Sequence, residues 1–202
     1  MSRAPKLIAV LAAIAAAALF IAACGDDDSA DTTTATDEAA SSETLSLNGE
    51  ETVLALDSGT ADVLTENKVE VAPVDPASAG DAGISFPITG GEVDSESLAG
   101  TIDHSGGLVF SAGGTDVELT DFVIDTAAGT LTASTADGAE LVVLDVDLAG
   151  LERTDEDGAI VLSGITTTLS DDAATALNDA FSVELFEGGL AIGDVTVTAT
   201  AG

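Results

Sequence analysis

Two hydrophobic patterns divide this chain. From Leu7 to Ala23 every residue is apolar, and Arg3 and Lys6 precede the run. Gly25 to about Glu43 then has no branched aliphatic or aromatic residue, only small, hydroxylated and acidic ones. Such a stretch cannot bury enough surface to repay its ordering, which predicts a disordered acidic tether. From about Leu45 the chain turns to Val, Ile, Leu and Thr, broken by Gly106-Gly107, Gly113-Gly114, Ala128-Gly129, Asp137-Gly138, Asp157-Gly158 and Gly188-Gly189. Turn signals at this spacing, about ten residues, are the rhythm of antiparallel hairpins. The expected fold is mainly β: an antiparallel β-sandwich or barrel-like single domain with one or two short helices. The expected organisation is a signal segment over 1–23, a tether over 24–44 and a β-rich domain over 45–202.

Inside that domain the alternation is clearest in Leu141 to Leu148. There Val142, Leu144, Val146 and Leu148 would share one face, and Asp145 and Asp147 the other. Ala191 to Thr200 alternates likewise, with Val195 and Val197 opposite Thr196 and Thr198. Over Asp116 to Asp125 the phase slips: Val117 and Leu119 lie on one face, Phe122 and Ile124 on the other. A β-bulge near Thr120-Asp121, or burial of both faces, accounts for this. Ser170 to Phe181 predicts a helix, with a Ser cap, Asp171 and Asp172 in the first turn, and Ala173, Leu177 and Phe181 facing the core. A shorter helix is expected from Ser58 to about Asn67. It is followed by Val69 to Val74, an edge-strand pattern that ends at proline.

Charge narrows the range of partners. There are 4 Lys and Arg against 37 Asp and Glu, a net charge of -33, so nucleic acid and anionic lipid surfaces are excluded as electrostatic partners. Trp and Tyr are absent, which removes the usual stacking platforms for bases. One Cys and one His allow neither a disulfide framework nor a Cys/His zinc site.

The single Cys explains the first segment. Ile21-Ala22-Ala23-Cys24 ends the apolar run with small residues. It resembles a bacterial lipoprotein signal with its lipobox. The resemblance implies diacylglyceryl transfer to the Cys24 sulfur, cleavage before Cys24, and a membrane-anchored, extracytoplasmic mature protein. Processing would remove Arg3 and Lys6 and no acidic residue, leaving Lys68 and Arg153 as the basic side chains.

Three constellations bear on chemistry. Ala55-Leu56-Asp57-Ser58-Gly59-Thr60 matches an aspartic-protease loop. Its best second copy, Val123-Ile124-Asp125-Thr126-Ala127, has Ala where that family has Gly. Ser58 or Thr60 as a helix cap explains the first motif without catalysis, and a hydrolase stands as an alternative to a non-enzymatic role. Asp155 and Asp157, before Gly158, are the best candidates for Ca²⁺, although the rest of an EF-hand loop is missing. His104 is the sole imidazole, read here as a histidine at a strand end with its hydrogen bonds satisfied.

Gly100-Thr101-Ile102-Asp103-His104-Ser105-Gly106-Gly107-Leu108, followed by Thr115 to Ala133, resembles HtaA-type haem-binding domains of secreted actinobacterial proteins. The resemblance implies haem capture, with His104 at the family's histidine position. That family ligates haem iron through a tyrosine, which this chain lacks, so His104 itself would have to hold the iron. The leading expectation is a lipid-anchored, non-catalytic binding module of the cell envelope with its ligand or protein partner unnamed. Haem capture is the alternative.

Overall fold

The computed structural model describes residues 43–202. The lipobox, Cys24 and nearly all of the tether lie outside the described residues. The elements are β1 (Thr44–Leu56), α1 (Ser58–Glu66), β2 (Glu70–Val74), β3 (Ser78–Gly80), β4 (Gly83–Asp94), β5 (Gly100–His104), β6 (Gly107–Ala112), β7 (Thr115–Asp125), β8 (Thr130–Thr135), β9 (Glu140–Asp147), β10 (Glu152–Glu156), β11 (Ala159–Leu169), α2 (Asp171–Phe181) and β12 (Ala191–Ala201).

The strands close on themselves. β1 pairs with β4, and pairing then runs through β5, β7, β8, β9, β11 and β12 back to β1, antiparallel at every step. Of the sandwich and barrel expected from the turn rhythm, the molecule is a barrel of eight strands with two helices. Four short strands lie outside the ring. β6 extends β7, β2 pairs with β6 alone, β3 pairs with β4, and β10 pairs with β11. β2 is thus the expected edge strand, although Pro73 lies within it opposite Leu108. A proline on an edge forfeits no ladder bond that a neighbour needs.

Closure of so small a barrel needs bends where strands approach closely. Gly83 opens β4 at φ +135, and a Cβ there would lie 2.2 Å from the Leu54 carbonyl oxygen. Gly91, φ +137, would place one 2.3 Å from the Thr101 carbonyl oxygen. The phase slip in β7 is a bulge: Asp121 has φ +52 and the register with β8 shifts between Thr120 and Val123. Leu119, Phe122 and Ile124 thereby all become buried.

β9 corrects the simple alternation. Val143 is buried as well as Leu144 and Val146, while Val142 is half-buried. The register with β8 skips Val143, since Leu131 pairs with Leu144 and Thr132 with Val142. This second bulge turns two consecutive apolar side chains inward.

Ser170 caps α2 as expected. Its Oγ accepts from the Ala173 N–H at 3.0 Å and donates to the Val142 carbonyl at 2.6 Å, tying the helix to β9. Ala173, Ala174 and Leu177 are buried, and the half-buried Phe181 packs against Phe186 at 6.4 Å between ring centroids. α1 is capped by Asp57, not by Ser58 or Thr60. Its carboxylate accepts from the N–H groups of Gly59 (2.9 Å) and Thr60 (3.2 Å). The Thr60 hydroxyl instead donates to the Ala191 carbonyl, fastening α1 to β12. No helix among the described residues is long and apolar enough to cross a membrane.

Candidate functional site

The two halves of the barrel interior are packed differently. Where the start of β1, the end of β4, the first half of β11 and the end of β12 converge, Leu47, Val93, Leu162 and Val197 interdigitate around a void of only about 10 Å³. The other half keeps a cavity of about 290 Å³. All eight barrel strands contribute to its wall, from Thr52 and Leu54 of β1 round to Leu131 of β8, and α1 and α2 add Leu64 and Leu177. Protein interiors are close-packed and rarely leave voids larger than a water molecule. An eight-stranded barrel is just wide enough for side chains to fill, or for one small ligand. This one does the first in one half and leaves room for the second in the other.

The cavity wall is almost wholly apolar. Its polar side chains are Thr52, Thr60 and His104. Thr60 spends its hydroxyl on Ala191. His104 is 5% exposed and ends β5. Its Nδ1 lies 3.0 Å from the Phe122 carbonyl oxygen, and its Nε2 lies 2.7 Å from Thr52 Oγ1. A carbonyl can only accept, so Nδ1 carries the proton, and Nε2 accepts from the Thr52 hydroxyl. Burial pushes the imidazole below its ordinary pKa, against weaker opposing pulls from the Phe122 carbonyl and the Asp103 carboxylate. His104 is therefore neutral, with both ring nitrogens satisfied. Thr52 was not singled out in the sequence. Its signal is a hydroxyl at an inward position in the series Thr52, Leu54, Leu56.

The other sequence candidates are not assembled into sites. Asp57 is the α1 cap, and Asp125 folds back onto the N–H groups of Ala127 (2.9 Å) and Ala128 (2.8 Å). Each carboxylate of the protease-like motifs thus serves its own turn. Asp155 pairs with Arg153 at 3.0 Å, and Asp157 (φ +50) and Gly158 (φ +91) form the two-residue turn between β10 and β11. Positive φ at both positions is the type I′ hairpin requirement. Among the described residues no group of three or more His, Cys, Asp or Glu is placed to hold a metal ion.

No protein-family model matches the chain, and no curated protein does. Solved structures match its fold. The C-terminal domain of HtaA from Corynebacterium glutamicum aligns with TM-score 0.61 at 17% identity, over 78% of this chain and 99% of that domain. The N-terminal domain of HtaA from the same organism aligns with TM-score 0.53 at 16% identity, over 77% and 97%. The likeness shows that the described residues share the HtaA fold, in line with the resemblance around His104.

A haem iron does not fit the donors in this arrangement. The chain has no tyrosine, and the one imidazole has its Nε2 lone pair taken by Thr52. One feature does suit a metal ligand: an Nδ1–H held by a backbone carbonyl is the usual orientation of a ligating histidine. Iron would still have to displace the Thr52 hydroxyl.

Proposed function

We propose that this protein is a non-catalytic ligand-capture module, anchored through Cys24 at the outer face of the cell membrane, that holds its ligand inside the barrel. The observation that carries the reading is the contrast between the packed half of the interior and the 290 Å³ apolar cavity beside it. The one titratable group on the cavity wall is a neutral histidine with both nitrogens engaged, Nδ1 by the Phe122 carbonyl and Nε2 by the Thr52 hydroxyl. An almost wholly apolar wall of this kind suits retention of a molecule.

Haem capture, which the resemblance around His104 implies, is the second reading. That reading is supported by the coverage of nearly a whole HtaA domain and by His104 on the cavity wall. It is opposed by the hydrogen bond from Thr52. Titration of haem into the protein, followed by Soret absorbance, tests it. A one-to-one shift that is lost in His104→Ala supports haem capture. A shift that survives that substitution, or no shift at all, removes it.

A further inference from the structure

We infer that the open half of the barrel is a binding site for one uncharged apolar molecule of about a dozen non-hydrogen atoms, such as a fused two-ring aromatic or a chain of similar length. The inference rests on the capture reading above and names the class of ligand.

Volume sets the size. An apolar protein cavity of about 150 Å³ stays dry and takes up benzene, and this one, at about 290 Å³, is roughly twice that. It lies at the lower edge of the range typical of small-molecule sites, about 300–1,000 Å³. A tetrapyrrole is larger than the space the barrel leaves.

The wall sets the polarity. A water in the cavity would need two to four polar partners, and Thr52 and His104 already satisfy each other. An anionic group brought inside would meet no Lys or Arg, because Lys68 sits in the turn after α1 and Arg153 is on β10. Burying an unpaired ion costs far more than burying the apolar body of a ligand returns.

The rim adds a second filter. Leu56, Ala79 and Gly80 line the cavity and are exposed, so the mouth opens between the end of β1 and the β3–β4 hairpin. Exposed Asp57 and Asp81 adjoin these residues in the chain. On a surface this negative they repel an anionic ligand before it enters.

Fluorescence titration of the purified full chain with 2-naphthol, neutral at pH 7, tests the inference. The absence of Trp and Tyr leaves the ligand's emission unobscured. The expected result is saturable one-to-one binding, at least tenfold weaker for the anionic 2-naphthoate, and lost in Val143→Phe and in Leu131→Phe, each of which fills the cavity from a different strand. Circular dichroism identifies which variants fold, and a folded variant that binds 2-naphthol unchanged overturns the site. Equal binding of 2-naphthoate overturns the neutral class. Haem binding that requires His104, without 2-naphthol binding, leaves capture standing and overturns the ligand class. Binding of neither overturns both.

Discussion

The imidazole of His104 on β5 and the hydroxyl of Thr52 on β1 meet inside the barrel at 2.7 Å, although β4 lies between their strands. Phe86 of β4 stands opposite Thr52 in register and meets the Phe122 ring edge-on, at 5.2 Å between centroids and 84° between planes. The Phe122 carbonyl in turn receives Nδ1–H of His104. Four residues from four strands thus fix one wall of the cavity. A single polar contact is placed where an apolar pair would have filled the same space.

Removing both partners of that contact should cost less than the sum of removing each. Thr52→Val leaves a buried ring nitrogen without a donor, and the expected loss is about 1–3 kcal/mol of unfolding free energy. In Thr52→Val/His104→Leu the ring nitrogen is gone together with its donor, and the Phe122 carbonyl is left as the one group that loses a partner. Denaturant unfolding of the two single variants and the double variant measures the difference.

The same histidine sets a pH dependence. Its pKa in the fold is depressed from the ordinary 6.5, so the unfolded chain binds the proton more readily than the folded one. The stability conferred by the neutral ring is complete above that ordinary value and is lost as pH falls below it toward the folded value. Protonation of surface carboxylates at still lower pH acts in the opposite direction by relieving repulsion. The expected observation is therefore differential: the Tm of wild type relative to Thr52→Val/His104→Leu decreases from pH 7.5 to 5.5.

Local chemistry made part of this architecture legible and left the rest hidden. The α2 cap at Ser170, the bulge near Asp121 and the turn at Asp157-Gly158 could be read because each is specified within a few residues. Closure of the ring could not, because β1 with β12 and β7 with β8 are matched by long-range pairing. The bulge at Val143 was concealed by the continuous apolar run Leu141 to Leu144, which reads equally well in either phase. Thr52 lies 52 positions from His104, and no spacing rule joins them. Nor does a list of inward apolar residues distinguish a filled interior from one with space left over.

Ser170 carries two structural roles at one atom. Ser170→Ala removes the N-cap of α2 and the hydroxyl bond to the half-buried Val142, so the cost should reach the upper part of the range for lost caps, about 2 kcal/mol. An isolated cap such as Asp57→Ala on α1 should cost about 1 kcal/mol. Paired denaturation curves test the ranking.

The surface predicts a response to salt. Among 37 carboxylates in the sequence few can find a basic partner, and folding brings them closer together. Raising NaCl from about 0.1 M to 1 M shortens the screening length from about 10 Å to about 3 Å. The Tm should rise over that interval, and thermal melts across a salt series would show it. Millimolar Ca²⁺ should raise it without a fixed stoichiometry, and Asp157→Asn should leave that effect unchanged.

The central claim is that the unfilled half of the barrel is where a ligand sits. Methyl-resolved NMR during a titration with 2-naphthol tests it most directly. Shifts are expected at Leu54, Val143, Leu144 and Val195 around the cavity, with Leu47, Leu162 and Val197 at the packed end unmoved. Shifts confined to surface methyls such as Val183, or none at saturating ligand, would contradict it.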